Sequence, residues 1–188
     1  MFMLRHSAWV RATHWINTAA FFALVVSGFA ILLAHPRLYW GETGAVGSPS
    51  LVDLPLPFVL TGQTGWGRYL HFLAAWGLVL NGLLYAASSF ASHHFSKGFS
   101  EYNPLQRAAY SVVVFVMAPL IVLTGLAMSP SIAAVMPALV MSFGGQQSAR
   151  TLHFVVASVF VLFFVGHVAM VYRAGFLPNV RSMIRSEA

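Results

Sequence analysis

Four long apolar runs dominate the chain, at residues 15–34, 69–92, 108–130 and 151–172, and none contains Lys, Arg, Asp or Glu. A bilayer core of about 30 Å needs roughly 20 apolar residues at 1.5 Å of helical rise each. Each run therefore predicts one membrane-spanning helix. Pro119 falls inside the third and predicts a disturbance of that helix, because proline donates no backbone hydrogen bond. Asn103-Pro104-Leu105-Gln106 reads as the start of that helix, with Asn as N-cap, Pro in the first turn and Gln at the third position. The first run follows Arg5 and Arg11, yet it is longer than the apolar core of a typical secretion signal. It also ends in His35-Pro36-Arg37 without a small-residue cleavage pattern, so it reads as a retained span.

Composition supports this picture. Of 188 residues, 59% are hydrophobic and 7% charged, far below the roughly one quarter charged in soluble domains. The net charge of +6 is scattered between apolar runs, which fits a membrane protein and not a nucleic-acid-binding one. With no cysteine, the chain cannot form disulfides, thiolate iron–sulfur clusters, Cys-ligated zinc or thioether-bound haem.

Seven of the ten Lys and Arg (Arg5, Arg11, Lys97, Arg107, Arg173, Arg181 and Arg185) flank the termini or join helices two and three, and Arg37, Arg68 and Arg150 lie in the other two connections. That bias puts both termini in the cytoplasm. Trp40, Trp66 and Tyr69 then belong to an outer aromatic belt, with Trp9 and Trp15 on the inner one. The expected fold is an all-α integral membrane protein, a four-transmembrane-helix bundle forming a single membrane domain over 1–188, with helices near 9–34, 68–92, 104–129 and 150–173. The long outer connection at 36–67 carries the Pro-stiffened segment Leu54-Pro55-Leu56-Pro57-Phe58, equally suited to docking a partner and to dipping into the interface.

Of eight His residues, His14, His71, His153 and His167 lie in or at the edge of the spans. Any one of them reads equally well as an interfacial or hydrogen-bonded core residue. Their arrangement says more. His153 and His167 are fourteen residues apart, which on a helix leaves them within about 40° of one face and roughly 21 Å apart along the axis. One metal ion cannot take both. In the deduced topology His14 matches the depth of His167, near the inner surface, and His71 that of His153, near the outer one. Two pairs of imidazoles at two depths suit two haem groups, since haem brings four nitrogens and needs two axial ligands. With both axial positions filled, the task is electron transfer.

Arg11, Arg68 and Arg150 each precede one of these His by three residues, one turn nearer the surface on the ligand's face. Arg at a helix N-terminus opposes the macrodipole, so an anion is expected there, and haem propionates fit. Gly28 and Gly82 return to the ligand faces of the first two helices and offer clearance to a macrocycle. Ser27, Asn81 and Thr124 read as helix-packing polar residues, and His6, His35, His93 and His94 as solvated or interfacial ones.

These features resemble the prokaryotic di-haem cytochrome b family, which includes the membrane subunits of nickel–iron hydrogenases, formate dehydrogenases and thiosulfate reductases. The resembling stretches are 5–28, with Trp9-Val10-Arg11 and His14-Trp15-Ile16-Asn17; 67–85; 102–130, opening on Tyr102-Asn103-Pro104; and 148–167, opening on Ser148-Ala149-Arg150-Thr151-Leu152-His153. The resemblance implies His14 paired with His167 and His71 with His153, each pair on one haem b, in a bacterial inner (plasma) membrane. It also implies electron exchange between the quinone pool and a periplasmic redox protein, a sulfite-oxidase-like molybdoenzyme being the most similar system. The loop at 93–102 is shorter than in many relatives. His93, His94 and Glu101 there are candidates for the protons of quinone chemistry. The alternatives are a stand-alone quinone-linked enzyme such as a superoxide oxidase, and a haem-free proton or metal carrier. The carrier is disfavoured because no span contains Asp or Glu.

Overall fold

The computed structural model describes residues 7–44, 47–55, 64–91 and 104–185. The elements are α1 (Ala8–Ala34), a ladder of β1 (Arg37–Leu38) with β2 (Val52–Asp53), α2 (Thr64–Ala91), α3 (Pro104–Val112), a π-helical turn (Val113–Met117), α4 (Ala118–Ala127), α5 (Pro130–Val135), α6 (Pro137–Ser142), α7 (Gln146–Arg173) and α8 (Phe176–Ile184). Four helical stretches, Ala8–Ala34, Gly65–Ser88, Ala108–Ala127 and Gln146–Arg173, are long and apolar enough to cross a membrane. The chain is thus the all-α, four-span membrane protein expected. His6, His93, His94, Glu101, Asn103 and the Leu56-Pro57-Phe58 part of the Pro-stiffened segment lie outside the described residues.

The disturbance at Pro119 takes a definite form. The N–H of Ala118 reaches back five residues to the Val113 carbonyl instead of four. Pro119 has no N–H to offer the Phe115 carbonyl, and a wider turn just before the proline lets the helix continue around the missing bond.

The chain divides into two compact units. The first holds α1, α2, the end of α7 from Val165, and α8. In it α1 and α2 pack along their length, and the paired residues run in opposite order. Trp9 Nε1 donates to Ser88 Oγ (2.9 Å), and Asn81 Nδ2 donates to the Thr13 carbonyl (2.9 Å) and Asn17 Oδ1 (2.7 Å). Further along, Gly67 meets Ala30. The helices are antiparallel. Their buried positions recur at seven-residue spacing, Thr13, Ala20 and Ser27 on α1 and Gly67, Ala74 and Asn81 on α2. Lipid is as apolar as a leucine side chain, so membrane helices associate through small residues and polar bonds. Both are present in this seam. The indole of Trp15 donates to the Met183 carbonyl (2.9 Å), fastening the amphipathic α8 to the start of α1.

The second unit holds the β1–β2 ladder, α3 to α6, and α7 as far as Phe164. Its core gathers Ala127, Val140 and Ala149 with Met128, Ala133, Leu139 and Phe143. Gly144 and Gly145, with φ of 77° and 111°, make the sharp turn into α7. The start of α7 is capped from the loop after β1. The Gly41 carbonyl accepts from the N–H groups of Gln147 (3.0 Å) and Ser148 (3.3 Å), and Ser148 Oγ accepts from the Gly41 N–H (2.7 Å). Thr151 Oγ1 donates to the Tyr39 carbonyl (2.7 Å), and Arg150 donates to that of His35. The two bonds to the Gly41 carbonyl satisfy helix-start donors that would otherwise lack partners, and the others tie the loop to the helix. Arg37 and Asp53 join the ladder's strands through an ion pair of 3.0 Å. The hydrogen bond that Arg37 donates to Asp53, together with the carboxylate's charge, holds the pKa of the guanidinium above its ordinary value.

Candidate haem-ligand sites

His71 and His153 have matching surroundings, one in each unit. His71 stands on α2 with Nδ1 3.0 Å from Ser27 Oγ on α1. His153 stands on α7 with Nδ1 3.0 Å from Thr124 Oγ1 on α4. Both hydroxyl residues are fully buried. Each also bonds back to its own helix, Ser27 to the carbonyls of Ala23 (2.6 Å) and Leu24 (3.2 Å), and Thr124 to those of Leu120 (2.7 Å) and Ile121 (3.1 Å).

The residue after each hydroxyl is glycine. A methyl group built on Gly28 would lie 3.6 Å from His71 Cε1, and one on Gly125 would lie 3.3 Å from His153 Cε1. The two imidazoles therefore rest against bare backbone. Gly28, expected to clear a macrocycle, lies beside the edge of the His71 imidazole. Gly82 meets no atom within 4 Å and faces open space. Gly125 escaped the sequence reading, and Ser27 and Thr124 were expected only to pack helices. Asn81 does join helices, through Thr13 and Asn17.

His14 is half-buried on α1, edge-on to the Trp15 ring (centroids 5.5 Å apart, planes at 73°). His167 is half-buried on the part of α7 that belongs to the first unit, as His14 does. Of the three Arg, Arg68 is exposed while Arg11 and Arg150 are half-buried, Arg150 spending one donor on the His35 carbonyl. His35 itself is exposed.

The donor set suits a planar metal macrocycle. Among the described residues no three His, Asp or Glu gather as a bare metal ion would require. Each site supplies one imidazole, held at Nδ1 with Nε2 at the far side of the ring, which is what an axial haem ligand needs.

Comparison with known proteins gives a family and a relative. The model of the prokaryotic cytochrome b561 family matches residues 5–186. A putative protein-methionine-sulfoxide reductase subunit, YedZ1, from Azospira oryzae is 34% identical over 193 residues, covering 88% of this chain and 89% of the relative.

Proposed function

The chain belongs to the prokaryotic cytochrome b561 family, and on that premise we propose that it carries two b haems and passes electrons between the quinone pool and a periplasmic reductase. It is a multi-pass protein of the bacterial inner membrane and a b-type cytochrome that transfers electrons. In the proposed arrangement His14 and His167 ligate an inner haem, and His71 and His153 an outer one, as their depths in the sequence suggest. When bound, haem b would supply reversible one-electron exchange.

The chain's own residues do the rest. The hydroxyls of Ser27 and Thr124 hold His71 and His153 at their Nδ1 atoms, and Gly28 and Gly125 leave room for the rings. Arg11, Arg68 and Arg150 answer the propionates, and Gly82 leaves space beside α2 for a macrocycle. The observation carrying this reading is that His71 and His153, in two separate units, have the same fixed Nδ1 environment within apolar spans. The relative's name supports a methionine-sulfoxide reductase as the partner, consuming the two electrons and two protons released by oxidation of one quinol.

A visible spectrum of the purified protein, oxidised and dithionite-reduced, with haem and protein quantified, tests this reading. Two low-spin haems per chain are expected. His153→Ala and His71→Ala should each remove the same haem, and His14→Ala and His167→Ala the other. A parent chain without haem overturns the proposal, and loss of different haems from His71→Ala and His153→Ala overturns the pairing.

A further inference from the structure

We propose that Ser27-Gly28 and Thr124-Gly125 are two copies of one clamp, which fixes the tautomer of His71 and His153 and thereby lowers the reduction potential of the haem they hold. The proposal rests on the reading that these His are axial ligands.

A proton count leads to it. A hydroxyl has a single hydrogen. In Ser27 the oxygen lies 2.6 Å from the Ala23 carbonyl and 3.2 Å from that of Leu24, and in Thr124 it lies 2.7 Å from Leu120 and 3.1 Å from Ile121. Carbonyls only accept, and the shortest contact of each hydroxyl is to a helix carbonyl, the partner its hydrogen favours. What the oxygen offers outward is a lone pair. With the hydroxyl hydrogen on the carbonyl, the imidazole nitrogen 3.0 Å away is the donor, and Nδ1 bears the proton. In a neutral imidazole Nε2 then carries the lone pair available to a metal. The opposite tautomer would either set two lone pairs against each other or turn the hydroxyl hydrogen away from its closest carbonyl, at a hydroxyl residue that is itself fully buried within the apolar span.

The glycine gives the clamp its reach. A Cβ at Gly125 would come within 3.3 Å of the His153 ring, closer than ordinary contact, whereas one at Gly28 would lie at 3.6 Å from the His71 ring, an ordinary contact, so the need for glycine is sharper at His153. The flat backbone lets the ring lie close enough for its Nδ1 to meet the hydroxyl one residue earlier. The clamp recurs on different helices with different hydroxyl residues, so the shared feature is the chemistry, an acceptor for Nδ1–H beside a bare backbone.

Acceptance of that hydrogen makes the imidazole a stronger electron donor and favours the oxidised iron. Loss of the clamp should raise the midpoint potential of the one haem affected. The expected effect is roughly tenfold in the oxidised-to-reduced ratio at fixed potential, about 59 mV for a one-electron couple.

The test is potentiometric titration of the full-length protein bearing Ser27→Ala or Thr124→Val, the latter removing the hydroxyl while keeping the shape. The haem that His71→Ala and His153→Ala remove should titrate at higher potential in both, with the other haem unmoved. Thr124→Ser and Ser27→Thr, which keep the hydroxyl, should titrate as the parent does. Unchanged potentials in Ser27→Ala and Thr124→Val overturn the clamp and leave the haem assignment standing. Should those two variants lose the haem, the hydroxyl-retaining pair decides, and loss of haem there as well overturns the clamp. Ring 15N spectra of the reduced full-length chain give a readout independent of haem content. In the chain freed of haem, protonated Nδ1 at His71 and His153 supports the tautomer that the clamp imposes, and protonated Nε2 there overturns it.

Discussion

Gly125 and Gly28 differ at the residue scale by a few tenths of an ångström, and that difference is measurable. A methyl at Gly125 would approach the His153 ring to 3.3 Å, inside ordinary contact, while one at Gly28 would sit at 3.6 Å from the His71 ring. Both positions are helical, so alanine brings each helix about 0.5–1 kcal/mol of backbone stability. Gly125→Ala should nevertheless displace its ligand and lower the haem content per chain, whereas Gly28→Ala should leave it near the parent value. Equal haem content in the two variants would sink the argument. Neither Ser27 nor Thr124 was legible as a partner of histidine, because the sequence separates them from His71 and His153 by 44 and 29 residues. Their type and mid-span position fit helix packing just as well.

At the scale of elements, the start of α7 and the loop after β1 form one hydrogen-bonded piece. Gly145 adopts φ of 111°, and a Cβ there would lie 2.5 Å from the backbone of Gly41. Gly145→Ala should cost about 1–3 kcal/mol through strain and release the loop from the helix. Limited proteolysis reads this as faster cleavage within residues 35–55. Ser148→Ala should do the same more mildly, since it removes the acceptor of the Gly41 N–H. Cleavage of both variants at the parent rate would show that the cap does not hold the loop. The α1–α2 seam makes a second prediction. Asn81→Leu removes the bonds to Thr13 and Asn17. The expected loss is about 0.6 kcal/mol and at most about 1.7, the range for polar bonds between membrane helices. Thermal denaturation in detergent measures it, and a loss well above that range would mean that Asn81 does more than join α1 to α2.

At the scale of the whole molecule, orientation across the membrane rests on the uneven placement of Lys and Arg. Because the chain has no cysteine, single introduced thiols report it without background. Thr43→Cys and Ala174→Cys place a thiol at an exposed position in the loop after β1 and just after α7, respectively. A membrane-impermeant maleimide applied to spheroplasts should label Thr43→Cys directly and Ala174→Cys only after lysis. The reverse pattern would put both termini outside and move the proposed reductase to the wrong side of the membrane.

The four spans and the alignment of His153 with His167 were written in the sequence. A bilayer demands about 20 uncharged residues per crossing, and a helix repeats its faces every 3.6 residues, so both follow from local order alone. The π-helical turn ahead of Pro119 was half legible: proline announces a missing bond, but how the helix closes around the gap depends on its neighbours. The cap on α7 by Gly41, the seven-residue seam between α1 and α2, and the hydroxyl–glycine contacts at His71 and His153 were decided by tertiary structure. Each depends on which distant backbone or side chain arrives within 3–4 Å. Small polar residues in an apolar helix carry no mark of the partner they will meet.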